Sequence, residues 1–115
     1  MDTLELQGIA NDVAMNLPGA DLEHRLDPNW DVYKVRSKVF MLMTDLPGRP
    51  VVILKADPDK ASALREQYAD ISPGYHMNKK HWITVAGGGT VDEKLVKQLV
   101  TDSYQLVAGG RPVGF

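Results

Sequence analysis

The sequence predicts an α+β fold in which three helices accompany an antiparallel sheet, in the order α-β-β-β-β-α-β-α. Three observations lead there. Apolar residues recur at helical spacing near the start, the middle and the end of the chain. Between those stretches lie short runs rich in β-branched and aromatic residues. The turns joining the first four runs are too short for crossover helices, so consecutive strands run antiparallel. At 115 residues the chain suits one compact core and is short for two. One domain over residues 1–115 is expected, with 109–115 a short tail.

Residues 3–16 read as the first helix, with Leu6, Ile9, Val13 and Leu17 as its apolar stripe and Pro18-Gly19 as its stop. Leu22–Leu26 is a short edge strand carrying Glu23, His24 and Arg25. Asp27-Pro28-Asn29 turns the chain into a strand over Val32–Arg36, where alternation puts Val32, Lys34 and Arg36 on one face. Lys38 continues that basic face if the chain stays extended through Ser37. Val39–Thr44 is almost continuously apolar, the mark of a central strand covered on both faces. After a loop over Asp45–Pro50, Val51–Ala56 forms the next strand.

Asp57-Pro58 starts the second helix, with aspartate as N-cap and proline at the first helical position. Its buried stripe is Ala61, Leu64 and Tyr68, and it ends over Ile71–Pro73. A further strand runs from about His81 to Val85. Thr90-Val91-Asp92-Glu93 then fits a capping box for a third helix reaching Ala108, which buries Leu95, Val96, Leu99, Val100, Ser103, Leu106 and Val107. Gly109-Gly110 ends it.

An apolar content of 43% with 24% charged residues belongs to a globular protein in water. No apolar run reaches membrane-spanning length and no secretion signal is legible at the N-terminus, so a cytoplasmic protein without a membrane partner is expected. The net charge is −2, yet it is unevenly spread: residues 1–31 balance at −6 and residues 32–86 at +4. One basic face can therefore meet an anionic partner.

Chemistry concentrates in Ser72–Val85, where two histidines, two lysines, an asparagine and two aromatics follow the Pro73-Gly74 turn. His76 and His81 lie five apart, His24 lies far away and the chain has no cysteine. That is not a zinc ligand set, and neither metal nor cofactor is expected. No sequence feature orders Ser72, Ser103, Tyr75 or Tyr104 with a histidine into a nucleophile and base, and Gly87–Gly89 lacks the lysine and hydroxyl of a phosphate loop. No catalytic residue and no enzyme activity is expected. Anion binding fits better. Lysines meet phosphates, asparagine and histidine reach base edges, and tyrosine or tryptophan stacks.

The runs Val32–Met43, Leu54–Pro58, Pro73–Val85 and Asp102–Val107, in that order, resemble the MmcQ/YjbR family of small bacterial proteins. The Pro-Gly-Tyr-His-Met-Asn-Lys-Lys-His-Trp stretch is the most specific of them. The resemblance implies an α+β fold compared with frataxin-like (CyaY-like) proteins and with the double-wing DNA-binding domain of a phage transcription factor. It transfers no catalytic residue. Double-stranded DNA is thus the expected partner, bound through a basic sheet face and the Tyr75–Trp82 segment. Lys34, Arg36, Lys38, Lys55, Lys79 and Lys80 are the candidate phosphate contacts, and Tyr75, His76, Asn78, His81 and Trp82 the candidate base or ligand contacts. Two alternatives stay open: a small-molecule or anion-binding module, tied to resistance, beside Tyr75, His76 and Trp82; or a signature that only holds the fold. Ser37 occupies a hairpin turn where the family resemblance leads one to expect glycine.

Overall fold

The computed structural model describes residues 3–26, 29–45, 50–74 and 78–109. Helix α1 spans Thr3–Met15, followed by β1 (Asp21–Leu26), β2 (Asn29–Val35), β3 (Lys38–Thr44) and β4 (Val51–Lys55). Then come α2 (Pro58–Gln67), β5 (Ile71–Pro73), β6 (Trp82–Ala86) and α3 (Glu93–Ala108). All six strands join one antiparallel sheet in the order β1-β2-β3-β4-β6-β5. The α+β class is as the sequence predicts. The three-residue β5 joins the predicted order at a sheet edge, where Pro73 lacks an amide that no neighbouring strand requires.

Every buried apolar residue from the helices belongs to one cluster with Tyr33, Met41, Met43, Val52, Leu54, Ile83 and Val85, so all three helices cover the same sheet face. On α1 the deepest positions are Leu6, Ala10 and Ala14, with Ile9, Val13 and Leu17 only partly buried. Two alanines at the contact let α1 approach α3 closely, a rotation from the stripe that hydropathy alone marks out. On α3 the buried positions are Val96, Leu99, Val100, Ser103 and Val107, while Leu106 is exposed and Leu95 lies at the margin. Each buried valine or leucine of that stripe is worth about 2 kcal/mol of apolar burial. The opposite face holds a smaller cluster of Val32, Leu42, Val51, Ile53 and Ala86, flanked by Trp30, Val39 and Trp82. β3 is thus apolar on both faces, as its unbroken hydrophobic run predicts.

A register shift in the β2–β3 ladder makes β3 asymmetric. Tyr33 pairs with Met41 and Lys34 with Val39, so Phe40 is an extra residue on β3. Phe40 and Met41 consequently both enter the helix-side core. Ser103 of α3 meets the Phe40 carbonyl. Its hydroxyl donates to Phe40 O and accepts from Lys55 N at 2.9 Å. One fully buried hydroxyl therefore continues the β3–β4 connection beyond its last paired rung, Met41 with Leu54. Tyr104 lies beside it, its ring edge-on to Phe40 at 5.5 Å and its hydroxyl donating to Pro18 O.

The helix caps depart from expectation in one place. Asp57 caps α2, accepting from Asp59 N at 3.1 Å. Asp92, not Thr90, caps α3, accepting from Leu95 N at 2.8 Å. Thr90 is drawn away by Asp70, whose carboxylate accepts from the Thr90 amide at 3.0 Å and hydroxyl at 2.6 Å. The chain between them passes so close that a β-carbon on Gly88 would sit 2.3 Å from Asp70 Oδ2. Any larger residue there would push the Asp70 carboxylate away from Thr90.

Tyr33 is the largest fully buried side chain. Its hydroxyl donates to Asn11 Oδ1 at 2.7 Å, and burial, with the Asp31 carboxylate adding to it, pushes its pKa up to about 12.

Two outcomes follow for this core. Ser103→Ala strips both Phe40 O and Lys55 N of their partner and should cost about 3 kcal/mol in urea denaturation. A loss under about 1 kcal/mol would contradict the bridging role. Folded Tyr33 holds its proton above the ordinary tyrosine value of 10.0, so it binds more protons than the unfolded chain between 10.0 and about 12. Its stabilising contribution is complete below pH 10.0 and lost as pH climbs toward about 12, a total near 3 kcal/mol. Alkaline unfolding of wild type against Tyr33→Phe measures that slope, which the variant should lack.

Candidate functional site

The candidate phosphate contacts come from four strand ends that the register stacks at one end of the sheet. Lys34, next to the end of β2, pairs with Val39, and Lys38 opens β3 opposite Val35. Two rungs on, Met41 pairs with Leu54, which sets Lys55 at the same level on β4. Lys55 pairs with Trp82, and Ala56 N donates to His81 O at 2.8 Å, bringing the 78–81 turn alongside. Lys34, Arg36, Lys38, Lys55, Lys79 and Lys80 therefore share one end of the molecule. Three interstrand spacings separate β2 from β6, or about 14 Å across.

They do not share one strand face. Arg36 and Ser37 form a two-residue turn with φ of 53° and 66°, the twist that suits a tight hairpin. The chain is thus not extended through Ser37. Arg36 projects from the turn, and Lys38, opposite Val35, belongs to the helix side of the sheet. Lys34 lies on the other side, in register with Val39. The expected Lys34–Arg36–Lys38 face is replaced by a rim around the strand ends.

Charge on this rim is uneven. Lys34 Nζ donates to Glu23 Oε2 at 3.1 Å, and Arg25 Nε lies 3.4 Å from Glu23 Oε1. The hydrogen bond from Lys34, then that from Arg25, holds the Glu23 carboxyl below its usual range. Lys34 is accordingly committed to β1. Arg36, Lys38, Lys55, Lys79 and Lys80 have no ion-pair partner among the described residues. Lys60, close by on α2, is engaged with Asp102 at 2.6 Å.

The 78–81 turn is built by its own asparagine. Asn78 Oδ1 accepts from Lys80 N at 2.9 Å, and Asn78 O accepts from Trp82 N at 3.0 Å. Arg65, on the last turn of α2, donates from Nη1 to Lys79 O at 3.3 Å and ties the turn to the helix. The turn thus presents Lys79, Lys80 and His81 as exposed side chains, while Trp82 is half-buried beside Lys55 against Val32 and its neighbours. Asn78 therefore hydrogen-bonds the tight turn, the role that the fold-holding alternative gives it. Tyr75 and His76 lie outside the described residues. Among the described residues, no group of three or more His, Cys, Asp or Glu side chains is placed to hold a metal ion, and no helix is long and apolar enough to cross a membrane.

Two residues that sequence reasoning passed over matter here. Arg65 is fourteen positions from the carbonyl it binds, so no local pattern announces it. His24 bonds through Nδ1 to Asp31 on the neighbouring strand. The β1–β2 register, with Leu26 opposite Asn29, places those two residues opposite each other.

The YjbR family model matches residues 15–106. The chain is 43% identical over 110 residues to the uncharacterised protein YbdF of Escherichia coli O157:H7, covering 96% of this chain and 90% of that one. It is 36% identical over 91 residues to the uncharacterised protein YjbR of Escherichia coli K12, covering 79% and 77%. Among solved structures, Deinococcus radiodurans protein DR2400, with family-model domain DUF419, superposes with a TM-score of 0.81 at 33% identity, covering 96% of this chain and 81% of that one. A Pseudomonas syringae protein superposes at 0.73 with 31% identity, covering 88% and 96%. These likenesses establish the family and the fold and assign no activity.

The strained turn offers a test that leaves every basic side chain in place. Ser37→Gly relieves a positive-φ position and should stabilise the fold by about 1 kcal/mol in urea denaturation. Loss of stability would mean that Ser37 makes a contact worth more than the strain.

Proposed function

The chain belongs to the YjbR family, and from that premise we propose that it is a cytoplasmic DNA-binding protein that grips the backbone of duplex DNA with the basic end of its sheet, without catalysis. The observation that carries this reading is the convergence of Arg36, Lys38, Lys55, Lys79 and Lys80, each without an ion-pair partner among the described residues, on a rim about 14 Å across. A B-form major groove is about 12 Å wide, so a rim of that size can touch phosphates on both of its edges. The net charge of −2 keeps the rest of the surface from sticking to DNA at random. The resemblance of the family to a double-wing DNA-binding domain points the same way.

Phosphate contact positions a protein, and base contact gives it sequence preference. His81, exposed at the tip of the turn, is the better placed of the candidate base contacts; Asn78 spends its oxygen on the turn itself. Lys34 contributes least, because Glu23 holds it.

Fluorescence anisotropy of labelled duplex DNA at rising salt tests the reading. Four or more phosphate contacts predict a fall in affinity of about two orders of magnitude between roughly 50 and 200 mM salt. Lys79→Ala/Lys80→Ala should weaken binding by at least about tenfold and reduce the salt slope by about two. Lys94→Ala, on the first turn of α3 away from the rim, should leave both unchanged. No binding, or equal binding by wild type and the double variant, would overturn the assignment.

A further inference from the structure

At the end of the sheet opposite the basic rim, a cleft of about 240 Å³ opens between the first turns of α1 and the paired ends of β1, β2 and β3. Its polar lining comes from Gln7, His24, Asp31, Thr44 and Asp45, and Leu4, Met43 and Pro50 give it an apolar side. No lysine or arginine is among the described residues that line it.

Much of this lining accepts hydrogen bonds. His24 Nδ1 and Asp31 Oδ1 are bonded to one another across the β1–β2 pair, which fixes the Asp31 carboxylate at the cleft wall. Gln7 spends a donor on Val51 O at 3.2 Å, which fixes the orientation of its amide and leaves Oε1 as an acceptor. Asp45 is exposed and has no hydrogen bond or ion pair among the described residues. A cleft with two carboxylates, an amide oxygen and an apolar wall suits a cation that brings its own N–H donors and a short apolar body.

We propose that this cleft binds a small organic amine in its ammonium form, the ammonium set between Asp31 and Asp45 and the carbon body against Met43 and Leu4. The leucine is 75% exposed, and a guest would cover it. This site is separate from the basic rim, which repels the same cation, so either proposal can fail without the other.

Titration of isotope-labelled protein with phenethylamine, followed by NMR, reads the site directly. Saturable shifts should appear at Gln7, His24, Asp31 and Asp45 and spare Lys79 and Lys80. The carboxylate of matching size, 3-phenylpropionate, and the neutral phenethyl alcohol should leave those resonances unmoved. Asp45→Asn, at a residue with no bond in the described fold, should weaken the amine roughly tenfold through loss of one charge-assisted contact. Asp31→Asn should do the same, and unchanged melting temperatures show that both variants fold. Absence of saturable shifts, equal response to the alcohol or the acid, or unaltered affinity in Asp45→Asn would each overturn the proposal.

Discussion

The bridge that Ser103 makes between Phe40 and Lys55 holds the architecture at the point where its parts meet. The extra residue in β3 turns two consecutive side chains, Phe40 and Met41, into the core beneath the helices. Beside it the β3–β4 ladder stops at Met41 and Leu54, and a buried carbonyl left unpaired there is costly unless another donor arrives. α3 brings that donor, because the same valines and leucines that bury its stripe set Ser103 over the gap. Packing and polar satisfaction thus depend on one another: the helix must dock for the sheet to be complete. Tyr104, next on the helix, closes the arrangement by reaching Phe40 with its ring and the chain after α1 with its hydroxyl.

What that join positions is the end of the sheet. β3 begins and β4 ends beside the Ser103 bridge, and through them the Arg36–Ser37 hairpin, Lys55 and the 78–81 turn are brought to one level. Like charges gathered this way repel, and the structure limits the cost by placing them at exposed strand ends, where water screens them. It also diverts some of the charge: Lys34 to Glu23, Lys60 to Asp102. The cations left over are those a polyanion would find. At the far end Asp31 and Asp45 face a cleft.

Much of this is written locally in the chain, and the part that is not has a physical reason. β3 and β4 are readable because a continuous apolar run has no other use, and α2 because Asp57-Pro58 is an unambiguous start. Thr90 misleads, since a hydroxyl two residues before a helix cap satisfies the local rule equally well whether it serves the helix or a carboxylate twenty residues away. The basic residues were legible as a set and not as a geometry. Alternation predicts a common face for Lys34, Arg36 and Lys38 only if the strand continues, and two non-glycine residues at positive φ end it. His24 and Asp31 were invisible for the opposite reason: each is ordinary alone, and only the hairpin register makes them a pair.

The central functional claim is spatial, that strand ends distant in sequence form one surface for DNA. Chemical-shift mapping of the isotope-labelled protein with a short duplex at low salt measures that surface without altering a residue. The account predicts shifts that move together at Arg36–Lys38, Lys55 and Lys79–Trp82 and disappear as salt is raised. Shifts centred on His24, Asp31 and Asp45, or none anywhere, would contradict it.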